Sequence, residues 1–266
     1  MMVSLLKHAT LGQKCGGLLL LVLLVFALFG NALAPNDGAY QDLDAILAPP
    51  SGTHWLGTDH FGRSMVARMA DAIRLSFMLG VLCVATSSII GVSLGVWAAW
   101  SGKKVDAVLN VFVNIILALP GLVIVLLLAA IVPGSFFVLY LAISLVQWVE
   151  YLRVVRAITK MTVDSPAMQS SQMMGFGRWY LFKRHIWPAI APSVFTLATF
   201  GCATAILTMA SLGFVYVGMQ PPLAELGLMM VELFPYYSDA PWLLAEPLIA
   251  IALLVLGFHL LGRKSS

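Results

Sequence analysis

The chain has 266 residues, of which 61% are hydrophobic and 10% are charged, and its formal net charge is +3 at pH 7. Soluble domains are about half apolar and about a quarter charged, so this composition excludes a soluble globular protein and indicates a polytopic membrane protein. Cys15, Cys83 and Cys202 lie far apart, in or beside apolar runs. They therefore give no sign of a disulfide framework or of a CxxC metal or redox site.

Apolar runs long enough to approach the ~20 residues of a membrane-spanning helix recur along the chain. They are Gly16 to Leu33, Leu75 to Trp100, Ala107 to Val132, Phe136 to Trp148 (extending towards Val155), Ser193 to Val215 and Trp242 to Leu261. We predict an all-α fold, a single membrane domain over residues 1–266 with six transmembrane helices. Residues 75–261 form its five-span core, with a kink near Pro120, where a backbone donor is lost.

The first run, residues 16–33, follows Lys7 and Lys14 and has the features of a cleaved signal peptide as well as those of a span. Its length and the need of the later spans for a cytoplasmic start favour an uncleaved first span. Residues 34–70 are rich in Pro, Gly and Asp and are predicted to form an extracytoplasmic segment.

The distribution of basic residues predicts the orientation. Only Arg63, Arg68 and Arg74 fall on the side of residues 34–70, together with most of the acidic residues. The other side holds Lys7, Lys14, Lys103, Lys104, Arg153, Arg156, Lys160, Arg178, Lys183, Arg184, Arg263 and Lys264. Since cytoplasmic loops collect Lys and Arg, we expect both termini and residues 150–191 in the cytoplasm.

Residues 150–191 form a long polar interruption between two apolar runs. The segment is basic and helix-forming, with Glu150 and Asp164 as its only acidic residues, and Pro188 closes it. A cytoplasmic segment of this kind, joined to a span at each end, offers a place where another protein could act on the membrane domain.

The sequence lacks the motifs of an enzyme that binds nucleotides or hydrolyses substrates. It contains no GxxxxGK[ST], GxGxxG or HExxH pattern and no pair of carboxylates within a span. Polar candidates inside the apolar runs are limited to Glu246, His259, Asn114 and Gln147, which argues against an ion-coupled carrier. Such a carrier, and a scaffold or receptor without transport, remain as alternatives.

The middle of residues 150–191 resembles the cytoplasmic motif of ABC importer permeases, in which Glu-Ala-Ala, three residues and Gly precede an Ile-x-Leu-Pro ending. The matching or substituted positions are Gln169, Ser170, Ser171, Gly175, Arg184, His185, Ile186 and Pro188. In that family the motif forms the coupling helix against the ATPase. Gln169 replaces the usual glutamate and Trp187 the leucine, and an ordinary amphipathic surface helix would also explain the pattern.

A second stretch is similar to the signature that follows the first span in the C-type permeases of dipeptide, oligopeptide and nickel importers. The matching residues are Trp55, Gly57, Thr58, Asp59, Gly62, Arg63, Arg68 and Arg74, whereas Ser64, Ala67 and Ala72 depart from the pattern. Independently of the resemblance, Gly57 and Gly62 permit a tight fold. Asp59 could cap a helix beginning near Phe61, and Arg63 could pair with an acid. The stretch could equally be a structural plug.

A third resemblance to the same family lies near the outer end of the fifth run. It comprises Ala210 to Gly218, Pro221-Pro222 and Glu225-Leu226-Gly227, with Leu226 where tryptophan is usual.

Together these resemblances imply the type I ABC importer permease fold in a bacterial inner membrane. They also imply a heterodimer with a second homologous permease, two cytoplasmic ATPases that bind ATP and Mg²⁺, an extracytoplasmic solute-binding protein and surrounding membrane lipid. No cofactor in this chain and no nucleic acid partner are expected. The Thr-Asp-His-x-Gly-Arg form around His60 resembles nickel-type permeases more than peptide-type ones, which favours nickel or another metal ion or chelate as the substrate, with di- or oligopeptides as the alternative. His54, His60 and the 13 methionines would also suit metal handling, but scattered Met is usually core packing and lone loop His is usually a polar surface residue. No metal ligands are assigned.

Overall fold

The computed structural model describes residues 10–34 and 37–263. Lys7 and Lys264, which contribute to the predicted orientation, and residues 35 and 36 of the predicted extracytoplasmic segment lie outside the described residues. Within them the structure is helical, and the only β-type pairing is an isolated bridge between Thr58 and Ser64.

Long helices form the body of the molecule. They are α1 (Leu11–Phe29), α2 (Met65–Trp100), α5 (Phe136–Val163), α8 (Trp187–Phe214) and α10 (Pro241–Gly262). The shorter helices are α3 (Lys103–Leu117), α4 (Gly121–Ile131), α6 (Pro166–Met173), α7 (Arg178–Leu181) and α9 (Leu226–Leu233). A 3-10 turn, Gly30–Leu33, extends α1, and a π-helical turn, Phe182–Ile186, joins α7 to α8.

The number of spans agrees with the prediction of six. Among the described residues, five helical segments are long and apolar enough to cross a membrane, and α3 with α4 makes a sixth if the bent pair is counted as one span. The chain bends by 76° between α3 and α4. Pro120 lies directly before α4, and its carbonyl accepts from the N–H groups of Val123 and Ile124. The predicted kink is therefore a complete break in the helix.

Two helix boundaries differ most from the sequence prediction. α2 begins at Met65 rather than at Leu75, because its first turns are buried and the charge of Arg68 is paired there. α5 continues to Val163, well into the basic segment. Arg156 and Lys160 of that extension both bind the Asp106 carboxylate at the start of α3, so these charges are compensated.

α2 is the central helix of the bundle and approaches α5 through glycines. A Cβ atom added to Gly91 would lie 2.5 Å from the Trp148 carbonyl oxygen and from Tyr151 Cβ. One added to Gly95 would lie 2.9 Å from the Leu152 carbonyl oxygen. Small residues let helices pack closely in lipid, where van der Waals contact replaces the hydrophobic drive between helices.

The bundle has two distinct ends. The Gln13 side chain at the start of α1 donates to the carbonyl of Arg263, just after α10, at 2.8 Å. We call this end, which also holds α6, the α6 face, since Trp100 at the end of α2 packs with Met168 of α6. The opposite end, with residues 37–64 and α9, is the α9 face.

We expect Gly91→Ala to lower the stability of the folded protein by about 1 to 3 kcal/mol, because the methyl group overpacks the contact between α2 and α5. Thermal unfolding of the purified protein in detergent would measure the change. Gly17→Ala is the matched control, since its added Cβ would lie 3.8 Å from the nearest neighbour. An unchanged unfolding temperature for Gly91→Ala would show that this contact does not limit stability.

Candidate functional site

α6 has well-defined ends. Ser165 is its N-cap, with the hydroxyl accepting from the Met168 N–H at 3.4 Å, and Pro166 occupies the first turn, where its missing N–H costs nothing. At the other end Gly175 adopts φ +79°. The Gly175 N–H donates to the Gln172 carbonyl and the Phe176 N–H to the Ser171 carbonyl, the bonds of a Schellman motif. Gly175 therefore lets the helix stop and reverse here without backbone strain.

One side of this segment is anchored to the bundle. Met168, Leu181, Ile186 and Ile190 form a buried apolar cluster beside Val155 of α5. Ser171 Oγ lies 2.9 Å from His185 Nε2 and so links α6 to the turn that precedes α8. Ser171, His185 and Ile186 of the predicted coupling motif thus face inward and fix the position of α6.

The remaining motif residues face outward. Gln169, Ser170, Gly175, Arg184 and Pro188 are exposed. Large apolar side chains outside the motif surround them, namely Met173 at 82%, Met174 at 67% and Trp179 at 74% exposure. The sequence signal for these side chains is the presence of large apolar residues within an otherwise polar segment. Together these outward residues form a surface suited to contact with another protein, which we call the α6 surface.

On the α9 face, the second predicted motif builds a buried ion cluster. Asp59 Oδ2 accepts from Arg63 Nε at 2.6 Å and from Arg68 Nη1 at 2.5 Å. Arg68 Nη2 also binds Glu232 Oε2 of α9 at 2.6 Å. Burial raises the pKa of the Asp59 carboxyl, and the charge of Arg68 opposes that rise. The cluster pairs two carboxylates with two guanidinium groups, so it carries no net charge.

The prediction that a helix begins near Phe61 is wrong. Asp59 Oδ1 accepts from the N–H groups of Phe61 and Arg63 at 2.9 Å and so caps a tight turn instead. The next helix, α2, begins only at Met65. The pairing of Arg63 with an acid is confirmed.

The predicted tight fold is present at two glycines with positive φ. Gly57 has φ +78° and Gly62 has φ +71°. A Cβ on Gly57 would lie 2.5 Å from the Ala48 carbonyl oxygen, and one on Gly62 would overlap the carbonyl of Asp42. Thr58 is also buried, and its hydroxyl accepts from the Ala48 N–H at 2.9 Å.

Trp55 and Arg74 of the second motif belong neither to the tight fold nor to the ion cluster. Trp55 is 56% exposed. Arg74 lies further along α2, where it binds the Ala27 carbonyl and Asp71.

The third motif fastens α9 to α8. Glu225 caps α9 by accepting from the N–H groups of Gly227 at 2.9 Å and Leu228 at 2.7 Å. Burial raises the pKa of Glu225 to about 7, against the opposing effect of these two bonds. A Cβ on Gly227 would lie 2.6 Å from Ala210 Cα, so this glycine permits the close approach of the two helices. Because Glu232 belongs to the same helix, the second and third motifs form one unit.

The histidine that favoured a metal substrate is part of the packing. The His60 ring lies 4.2 Å from the ring of Phe61 and stacks on Tyr236 at 5.0 Å. Over residues 10–34 and 37–263, no group of three or more His, Cys, Asp or Glu side chains is placed to hold a metal ion.

We expect Asp59→Asn to destabilise the protein by about 3 to 5 kcal/mol, because it leaves buried arginine charge uncompensated. Thermal unfolding of the purified protein tests this, with the exposed Asp44→Asn as the control. Equal unfolding temperatures for the two variants would mean that the cluster does not stabilise the fold.

Comparison with known proteins gives the family. Residues 91–263 match the family described as "Binding-protein-dependent transport system inner membrane component". The chain is 34% identical over 261 residues to the "Probable D,D-dipeptide transport system permease protein DdpC" of Escherichia coli K12, covering 98% of this chain and 87% of the relative.

Two further relatives cover most of the chain. It is 38% identical over 257 residues to the dipeptide transport system permease protein DppC of Escherichia coli K12, covering 94% of this chain and 86% of that protein. It is 31% identical over 247 residues to the glutathione transport system permease protein GsiD of Pectobacterium atrosepticum, covering 92% and 82%. The chain therefore belongs to the inner-membrane permeases of binding-protein-dependent ABC importers and is a C-type subunit.

Proposed function

We propose that this chain forms part of the translocation pathway of an ABC importer for short peptides. Its membership among the importer permeases is established by the match over residues 91–263. The single observation that carries the substrate class is that relatives covering over nine-tenths of the chain are named for dipeptides, di/tripeptides and glutathione. The packing of His60 against Phe61 and Tyr236 supports this choice over the metal substrate that the sequence favoured.

The α6 surface is the proposed contact with a cytoplasmic ATPase, and the basic residues of residues 150–191 support a cytoplasmic position for it. Asp164 and Ser165 alone separate α6 from α5, and α5 packs on the glycines of α2. A displacement of α6 would therefore move α5 and α2 together. ATP binding drives transport only if it favours the outward-facing state over the inward-facing one. A ligand with equal affinity for both states does not change the equilibrium between them.

The assembly proposed for this mechanism contains a second homologous permease, two ATPases that hold ATP and Mg²⁺, and an extracytoplasmic solute-binding protein. The family description supports the binding protein as a partner. The chain itself supplies the path and the α6 surface, and ATP hydrolysis belongs to the ATPases.

Gly175→Asp is expected to abolish uptake without lowering the amount of protein in the membrane. Apart from its two chain neighbours, no described residue has an atom within 4 Å of an added Cβ at Gly175, so the substituent would fill the space proposed for the ATPase. Uptake of a labelled dipeptide and immunoblots of the membrane fraction measure both effects.

Two controls accompany this variant. Gly52→Asp adds the same side chain at another open position, on the α9 face, and is expected to retain uptake. Gly175→Asn adds similar bulk without charge, and Asn tolerates positive φ. Loss of uptake in this variant would assign the effect to bulk, and retained uptake would assign it to charge. Normal uptake by Gly175→Asp would remove the coupling assignment.

Uptake of a labelled dipeptide is expected to fall to background when the gene for this chain is deleted and to return when it is restored. Nickel accumulation, free or chelated, measured in the same cells, is expected to be unchanged. Loss of nickel accumulation alone would overturn the peptide assignment and restore the metal substrate.

A further inference from the structure

A cavity of about 370 Å³ lies on the α9 face beside the first turns of α2. Its lining combines three charged side chains, Asp37, Asp71 and Arg74, with apolar residues that include Leu75 and Met78. Arg74 of the second motif and Pro222 of the third motif line it, but no residue of the ion cluster or of the α6 surface does. The cavity is therefore distinct from the ion cluster and from the α6 surface.

The charged groups of this cavity leave capacity for a ligand. Arg74 Nε donates to the Ala27 carbonyl at 3.0 Å, and Arg74 Nη2 lies 3.1 Å from Asp71 Oδ1. A guanidinium has five N–H donors, and the Arg74 side chain is 46% exposed. Asp37 and Asp71 bring negative charge to the same cavity. A ligand that matches it carries both an anionic and a cationic group.

The cavity lies at the level where a membrane span ends. Ala27, which binds Arg74, is in the last turn of α1. Arginine at such a level reaches from the hydrocarbon to the headgroup region while its stem stays in apolar surroundings. The charged part of the cavity is thus placed at the height of lipid headgroups.

An apolar strip continues from the cavity along α2. Met78, Val81 and Ala85 follow Arg74 at helical spacing on the same face, and Met78 and Val81 are about half exposed. Val81 and Ala85 also line a second cavity of about 220 Å³, together with Cys202 and Phe258. Arg74 and Ala85 are separated by about 16 Å along the helix, roughly the depth of one leaflet of a ~30 Å hydrocarbon core.

We propose that these two cavities and the strip between them bind one membrane phospholipid with a zwitterionic headgroup. The phosphate binds Arg74, the ammonium group lies towards Asp37 and Asp71, and one acyl chain follows Met78 and Val81 into the second cavity. Two carboxylates disfavour a headgroup that has a phosphate but no ammonium. A free peptide would satisfy the charges but leave the apolar strip uncovered.

The test uses the purified assembled transporter and native mass spectrometry, with phosphatidylethanolamine and phosphatidylglycerol of identical acyl chains as probes. Phosphatidylethanolamine is expected to bind about tenfold more tightly than phosphatidylglycerol.

Arg74→Gln is expected to weaken the binding of phosphatidylethanolamine about tenfold, as the loss of a charged hydrogen bond does. Asp71→Asn is expected to lower the ratio of the affinity for phosphatidylethanolamine to the affinity for phosphatidylglycerol. Arg153→Gln removes an exposed arginine elsewhere and should leave binding unchanged.

A second variant separates lipid binding from folding, because Arg74 also contacts α1. Ala85→Phe fills the apolar cavity without touching the charged groups, and it is expected to weaken phosphatidylethanolamine several-fold at an unchanged unfolding temperature. Equal binding of the two lipids, or unaltered binding by both Arg74→Gln and Ala85→Phe, would overturn the proposal. So would displacement of bound phosphatidylethanolamine by a dipeptide, which would place the cavity in the transport path.

Discussion

The close contact between α2 and α5 at Gly91 and Gly95 is the constraint on which the rest of the structure depends. In lipid there is little hydrophobic drive between helices, so the pair is held by the short distance that glycines allow. Added Cβ atoms there would meet backbone carbonyls at 2.5 and 2.9 Å, which a side-chain rearrangement cannot relieve. Because α5 runs almost directly into α6, the same contact makes the α6 surface a rigid extension of the transmembrane bundle rather than part of a loose loop. A rigid connection of this kind is what the proposed coupling to an ATPase requires.

The α9 face is stabilised by a different kind of interaction. There buried charges join a long loop to the short helix α9, in addition to the apolar packing of Leu226, Met229 and Leu233. Asp59 accepts four hydrogen bonds, from two backbone N–H groups and two arginines, while Arg68 connects it to Glu232 of α9. Buried ion pairs are weak evidence for net stability, but loss of one partner is costly. The cluster thus specifies one arrangement of residues 37–64 against α9, and the close contact at Gly227 specifies the position of α9 on α8.

Much of the fold follows from the sequence because membrane spans depend on local composition. The apolar runs marked the spans, and Pro120 marked the break between α3 and α4. The ends of α2 and α5 were misplaced, since Arg68 and Arg156 look too polar for a span until their partners Glu232 and Asp106 are known. Those partners are 164 and 50 positions away, and no single-sequence pattern connects them. The stacking of Tyr236 on His60 is likewise a contact that exists only in the folded chain.

The departures of the coupling motif from the family pattern have a consistent physical interpretation. Ser171 and His185 bond to each other and, with Ile186, hold α6 against the bundle, so these positions preserve the internal half of the motif. Gln169 is on the outer half, where the missing charge removes a salt bridge to a partner. Exposed pairs of that type are worth little, about 0 to 1 kcal/mol. Met173 and Trp179 are 82% and 74% exposed, and burying such side chains contributes about 1.5 to 3 kcal/mol each. In the proposed contact, apolar burial around α6 therefore outweighs the lost ion pair, and Gln169 remains compatible with coupling.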